Sequence, residues 1–309
     1  MTRISDVVRR GFALIAAMLL AGAVMAMPAM AGRPNCLVAN LETGNSHQTL
    51  QAAVDAASPG DSLQVKGTCA GNTTITKDLN ISGKSNPAFG PATLDGLEAG
   101  RVVTIRGSVA VTLSELRIAH GAADFGAGVA TEVDFSRPGT NVVTIVESVI
   151  SGNTASTYGG GIANDHGIVT LVDSSVRGNT AVTGAGIHNS RDDGTLTLRG
   201  KSTVSGNHAT GDAGGIYSDT HGNVTLMDRS SVHHNTAGEN GGGIVVGDSV
   251  VVLNDQSSVR QNTAGGDGGG VYIVAMFGVF EMNDSSSVSG NSPNNVCQAP
   301  WPGSLGCIF

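Results

Sequence analysis

The chain is short of large side chains. Phe, Trp and Tyr together make up 4% of its 309 residues, and there is one Trp. Charged residues are also few, at 14%. An ordinary globular core built around aromatic rings is therefore excluded, while 40% hydrophobic content excludes a disordered chain. In the glycine-rich body of the chain, past residue 61, no stretch carries apolar residues at a 3.6-residue period long enough for an amphipathic helix, which excludes helical repeats. There is no basic patch, so nucleic acid and anionic membranes are not expected partners. Cysteine is limited to Cys36, Cys69, Cys297 and Cys307.

What the chain has instead is glycine, 45 residues of it, and a repeat. An aliphatic residue, two variable residues and Asn recur at Ile150–Asn153, Val176–Asn179, Val204–Asn207, Val232–Asn235, Val259–Asn262 and Val288–Asn291. The Asn-to-Asn spacings are 26, 28, 28, 27 and 29 residues. Such a period marks a solenoid whose single turn cannot bury its apolar face alone. Two more phrases recur within each period. One is Val-Thr-Leu-like, anchored on Leu113, Ile145, Leu171, Leu198, Leu226, Leu253 and Met282. The other is Gly followed by a branched residue, as in Gly161-Ile162, Gly186-Ile187, Gly215-Ile216, Gly243-Ile244 and Gly270-Val271.

All three phrases are short, β-branched and bounded by Gly, Asn, Asp or Ser, which reads as strand. Three short strands per coil of 26–29 residues predict an all-β, single-domain parallel β-helix with three sheets along its axis. Strand parity points Ile150 and Ser148 inward and Val149 outward, placing Ser148, Ser174, Ser202, Ser230, Ser257 and Ser286 in one inward column. The Asn column falls at a turn, where Asn tolerates a left-handed backbone and its amide can bond the neighbouring coils.

The ends read differently. Residues 1–31 carry Arg3, Arg9 and Arg10, an apolar run from Gly11 to Val24, and Ala29-Met30-Ala31. This is the pattern of a secretory signal cleaved after Ala31, leaving a domain of residues 32–309 with no membrane span. Its loss takes three Arg and one Asp from 17 basic and 25 acidic residues, for a formal charge of −10. In an oxidising compartment the cysteines are expected to pair as Cys36–Cys69 and Cys297–Cys307, since other pairings join opposite ends of a solenoid. Residues 49–61 predict a capping helix with Leu50, Val54 and Ala57 on its apolar stripe, stopped by Pro59-Gly60. Residues 292–309, with Pro293, Pro300, Trp301 and Pro302, predict an irregular disulfide-closed cap with Trp301 over the last coil.

The run Leu50-Gln-Ala-Ala-Val-Asp-Ala-Ala-Ser-Pro-Gly-Asp61-Ser-Leu-Gln-Val65, followed by Thr74-Ile-Thr-Lys-Asp-Leu-Asn-Ile81-Ser-Gly83, resembles the opening of pectin-lyase-like right-handed parallel β-helices. The repeats from about 111 to 291, with Gly160-Gly161-Ile162, are similar to those of polymorphic outer-membrane proteins and related bacterial adhesins. The resemblance implies right-handed coiling and either adhesion or polysaccharide chemistry. Two departures stand beside it: an aliphatic residue replaces the Phe of the Phe-x-x-Asn phrase, and no long alternating strand precedes Phe309 as a membrane barrel would require.

Four surfaces are candidates for function. Stacked coils should line Asp165-His166, Arg191-Asp192-Asp193, Asp219 with His221, and Asp248 along one edge. Adjacent carboxylates with His and Arg are the material for acid–base chemistry or Ca²⁺ binding, and equally ordinary turn residues. The weak catalytic candidates are Asp192, Asp193, His166 and Arg191. The acidic column Asp212, Glu239, Asp267 is a second Ca²⁺ candidate. An outward Thr column (Thr112, Thr144, Thr170, Thr197, Thr225) is one residue wide, too narrow for an ice-ordering array. His188 and Tyr217 fall side by side on an outward column with Ala163, Val245 and Tyr272, where they could stack on a sugar. The expectation is a secreted, non-catalytic adhesin-like surface for a carbohydrate or cell-surface ligand, with no cofactor. The alternatives are a polysaccharide lyase or glycoside hydrolase on acidic polysaccharide, and a structural envelope component.

Overall fold

A computed structural model describes residues 36–85, 90–133, 139–190, 194–274, 277–299 and 306–308. The predicted leader, Arg191, Asp192, Asp193, Trp301 and Phe309 lie outside the described residues. The described chain winds as a right-handed parallel β-solenoid with three long sheets. Sheet A has 11 strands, sheet B 9 and sheet C 10. Successive coils stack in register, as in Thr112, Thr144, Thr170, Thr197 and Thr225 of sheet A. Sheet A reads outward–inward along each strand, so Val143, Ile145, Val169, Leu171, Leu196 and Leu198 are fully buried.

A fourth sheet, D, was not expected from the phrases. It has six strands, from Ala122–Phe125 to Thr263–Ala264, placed just after the Asn column. Its inward residues are alanines, with Ala155, Ala181 and Ala209 buried beside Ala127 and Ala185. A side chain this small allows the wall to approach closely, so the coil cross-section bends there instead of bulging. The paired glycines serve the same end. A Cβ on Gly161, Gly186, Gly215 or Gly243 would lie 2.4–2.6 Å from the carbonyl oxygen of the next coil's glycine.

Two polar ladders run through the interior. Asn153, Asn179, Asn207, Asn235 and Asn262 are buried to within 1% exposure. Each donates its Nδ2 to Oδ1 of the Asn one coil on, at 2.9–3.0 Å, and that same oxygen accepts the backbone N–H. The left-handed residue is not the Asn itself but the one before it: Gly152, Gly178, Gly206, His234, Gln261 and Gly290. The turn is relaxed by the preceding position, and the Asn is retained for its amide. The Ser column is inward as expected, with Ser148, Ser174, Ser202, Ser230 and Ser257 buried.

At the ends, both expected cysteine pairs form and a helix lies where one was expected. Cys36–Cys69 and Cys297–Cys307 are bonded, with Cα separations of 4.5 and 4.0 Å. The helix is Leu50–Ala56, shorter than 49–61, because the Thr49 side chain caps it and Ala57 already leaves the helical region ahead of Pro59. Leu50, Val54 and Ala57 are buried as the stripe requires. Antiparallel strands Leu37–Asn40 and Ser46–His47 close that end of sheet A. Among the described residues no helix is long and apolar enough to cross a membrane.

Candidate binding groove

Three aromatic residues, Phe125, Tyr158 and Tyr217, line up with His188 on successive coils. On the outward column of sheet C, Ala130, Ala163, His188 and Tyr217 follow one another in register. On sheet D, Phe125 pairs with Tyr158, and Tyr158 bridges to Thr183. The ring is therefore supplied from sheet D where sheet C offers alanine, and from sheet C once sheet D offers Thr183. Gly126 and Gly159, both at positive φ, seat the sheet D backbone close on Ala130 and Ala163.

The four rings make one continuous stack. Phe125 and Tyr158 have centroids 5.3 Å apart at 17°, Tyr158 and His188 4.4 Å at 35°, and His188 and Tyr217 5.1 Å at 3°. Arg101 closes the lower end, its guanidinium carbon 4.5 Å from the Phe125 centroid. That guanidinium is fixed by the Phe125 carbonyl and by Glu132 at 2.5 Å. Offset aromatic pairs contribute about 0.5–1.5 kcal/mol each beyond burial, and a cation over a ring about as much. Neighbouring rings cover one another's faces, so the stack presents edges and hydroxyls to solvent.

Beside the upper half of the stack runs a groove of about 420 Å³, lined by Tyr158, Thr183, His188, Ser190, Tyr217 and Asp219 among others. The Tyr217 hydroxyl donates to Asp219 Oδ2 at 3.4 Å. Burial, then the charges of Asp219 and Asp212, push its phenol up to about 12. Tyr272, two coils further, is raised by burial and by Asp267 and Asp212. Both phenols stay neutral donors at physiological pH, in a field that is negative.

The predicted acidic edge is adjacent and reads as turn structure where it is described. Asp219 Oδ1 accepts the N–H groups of Thr220 and Asp248, at 2.7 and 2.9 Å. His166, Thr220 and His221 hold positive φ. His221 Nε2 lies 3.6 Å from Asp248 Oδ2, with the His221 side chain 66% exposed. Asp219, His221 and Asp248 are thus brought together. His166 and Asp165 sit half-buried in the same edge, where Thr131 Oγ1 accepts the Asp165 N–H.

The acidic column is corrected by one residue. Asp212 Oδ1 accepts both N–H and Nδ2–H of Asn240, and Asn240 Oδ1 accepts the Asp267 N–H. The middle member is therefore Asn240, not Glu239, and the carboxylates are spaced by an amide rather than gathered. Among the described residues one grouping has metal-ligating atoms within reach of each other, Asp267 with Cys297 and Cys307, and both sulfurs are held in their disulfide. A further acidic column, Asp228, Asp255 and Asp284, escaped the sequence reading. Each carboxylate accepts the N–H of the left-handed residue one coil back (Gly200, Asp228, Asp255), which makes it a turn support.

No family model matches the chain, and neither curated proteins nor solved structures yield a match.

Proposed function

We propose that the protein is a secreted, non-catalytic binding surface of the adhesin kind, whose ligand is a carbohydrate held in the groove beside the aromatic stack. The observation that carries this reading is the ring maintained on four successive coils by two different sequence positions. Its edges, the neutral Tyr217 hydroxyl, Ser190, Thr183 and Asp219 form a line of hydrogen-bonding groups against apolar backing, as a sugar chain requires. The negative field from Asp212, Asp219 and Asp267 favours an uncharged glycan over an acidic one. The two disulfides agree with an oxidising, extracellular setting.

The rival is a polysaccharide lyase or hydrolase, favoured by His221 and Asp248 lying together beside Asp219. Both readings are tested on one preparation of the disulfide-bonded chain. Neutral and acidic glycans are measured for saturable binding and for release of reducing ends or unsaturated products, with and without Ca²⁺. Expected are saturable binding of a neutral glycan, weakened at least tenfold by Tyr217→Ala with His188→Ala, and no product. Turnover abolished by Asp192→Asn with Asp193→Asn establishes the enzyme instead. Neither binding nor turnover leaves the structural envelope role.

A further inference from the structure

The two ends of the solenoid are finished differently. At the N-terminal end the helix Leu50–Ala56 buries Leu50, Ala53 and Val54, and sheet A is closed by strands running against the direction of the coils. At the C-terminal end, sheet C is closed by an antiparallel pair, Val296–Gln298 with Cys307–Ile308. Sheets A and B instead stop at Val279–Met282 and Ser287–Ser289, whose outer edges pair with no strand among the described residues. Among the described residues nothing seals the interior there. In the inward column Leu253 is fully buried and its successor Met282 is 44% exposed, while Val288 follows the fully buried Val259 and is only partly covered. Phe277, 69% exposed, stands at the rim with Val274 and Val279.

We infer that this open end is an interface, and that its occupant is a second copy of the chain joined tail to tail. An exposed strand edge backed by apolar side chains pairs with another edge when one is offered. Head-to-tail addition would need a free parallel edge at the N-terminal end, and the antiparallel strands and helix remove it on sheet A. A twofold contact between C-terminal ends uses the same open surface twice and closes without growing a fibre. In that arrangement Val279–Met282 runs antiparallel to itself. Centring on Phe280 sets that inward residue against its own counterpart and keeps the two Glu281 carboxylates from lying directly opposite, which would be destabilising. This inference is independent of the groove, which lies on coils nearer the middle.

Sedimentation of the full chain over a range of concentrations tests it. A dimer is expected that dissociates on dilution. Met282→Lys and, separately, Phe277→Lys should each weaken it at least tenfold while leaving the far-ultraviolet spectrum unchanged. Val142→Lys, exposed on the side of sheet A, should not. Phe280→Cys should give a covalent dimer on mild oxidation. A monomer at every soluble concentration, open-ended polymers, or a dimer indifferent to both end substitutions overturns the inference.

Discussion

The corner between sheets A and B is built in two ways, and the change occurs at one coil. In the earlier coils two residues separate the inward apolar anchor from the inward position that follows: Val146-Glu147 before Ser148, Val172-Asp173 before Ser174. There the backbone N–H of one coil is taken by the serine hydroxyl of the next. Leu116 donates to Ser148 Oγ, Ser148 to Ser174 Oγ and Ser174 to Ser202 Oγ, at 3.1–3.2 Å. From Arg199-Gly200-Lys201 onward the corner has three residues. Ser202, Ser230, Ser257 and Ser286 now donate their N–H groups to the residue three back, at 3.1 Å each. The hydroxyls of Ser230, Ser257 and Ser286 are left buried without a hydrogen bond. One inserted residue thus moves the support of the corner from side chain to backbone. The repeated serine looks uniform along the chain, but its hydroxyl is used only in the first half.

Substitutions can break or sharpen this contrast. The largest effect belongs to the Asn ladder, which runs through both halves alike. Asn207→Ala removes the acceptor of two Asn179 donors and should cost roughly 3–5 kcal/mol in urea unfolding, with similar values at Asn153 and Asn235. An effect confined to one half would refute its uniformity. Next is the serine pair. Ser174→Ala strands the Ser148 N–H and should cost about 1–3 kcal/mol, with faster hydrogen exchange at that amide, whereas Ser257→Ala should be neutral or slightly stabilising. Equal losses at both positions would show that the corner type is irrelevant.

The smallest effect concerns His233, on a late coil. Burial, Arg260 and then His234 hold its imidazole down at about 4, against an ordinary 6.5. The unfolded chain therefore binds the proton first as pH falls. Stability should decline from about pH 6.5 to about pH 4 and then level off. His233→Gln should flatten that slope, and an unchanged profile would remove His233 as its source.

Much of this was legible in the sequence. Coil stacking forces repetition, so the Leu, Ser and Asn columns and the cysteine pairing followed from spacing alone. Sheet D did not, because a two-residue strand such as Thr180–Ala181 is too short to show alternation. His188 and Tyr217 were visible as neighbours in one phrase, but Phe125 and Tyr158 belong to another phrase. Only coil stacking shows that the four rings form one line. The acidic edge was legible as a location, and among its described carboxylates Asp219 is engaged with loop amides while Asp248 faces His221.

The Asn ladder has a mechanical consequence. Each buried amide binds only the coils next to it, so cohesion between coils is shared out in nearly equal portions along the axis. Tension applied along that axis loads the boundary between one coil and the next, and the solenoid should yield by peeling coil from coil. Tension applied across the axis, along the strands, loads whole sheets in shear. A surface that holds its ligand on the side of the solenoid is pulled in that second, stiffer direction.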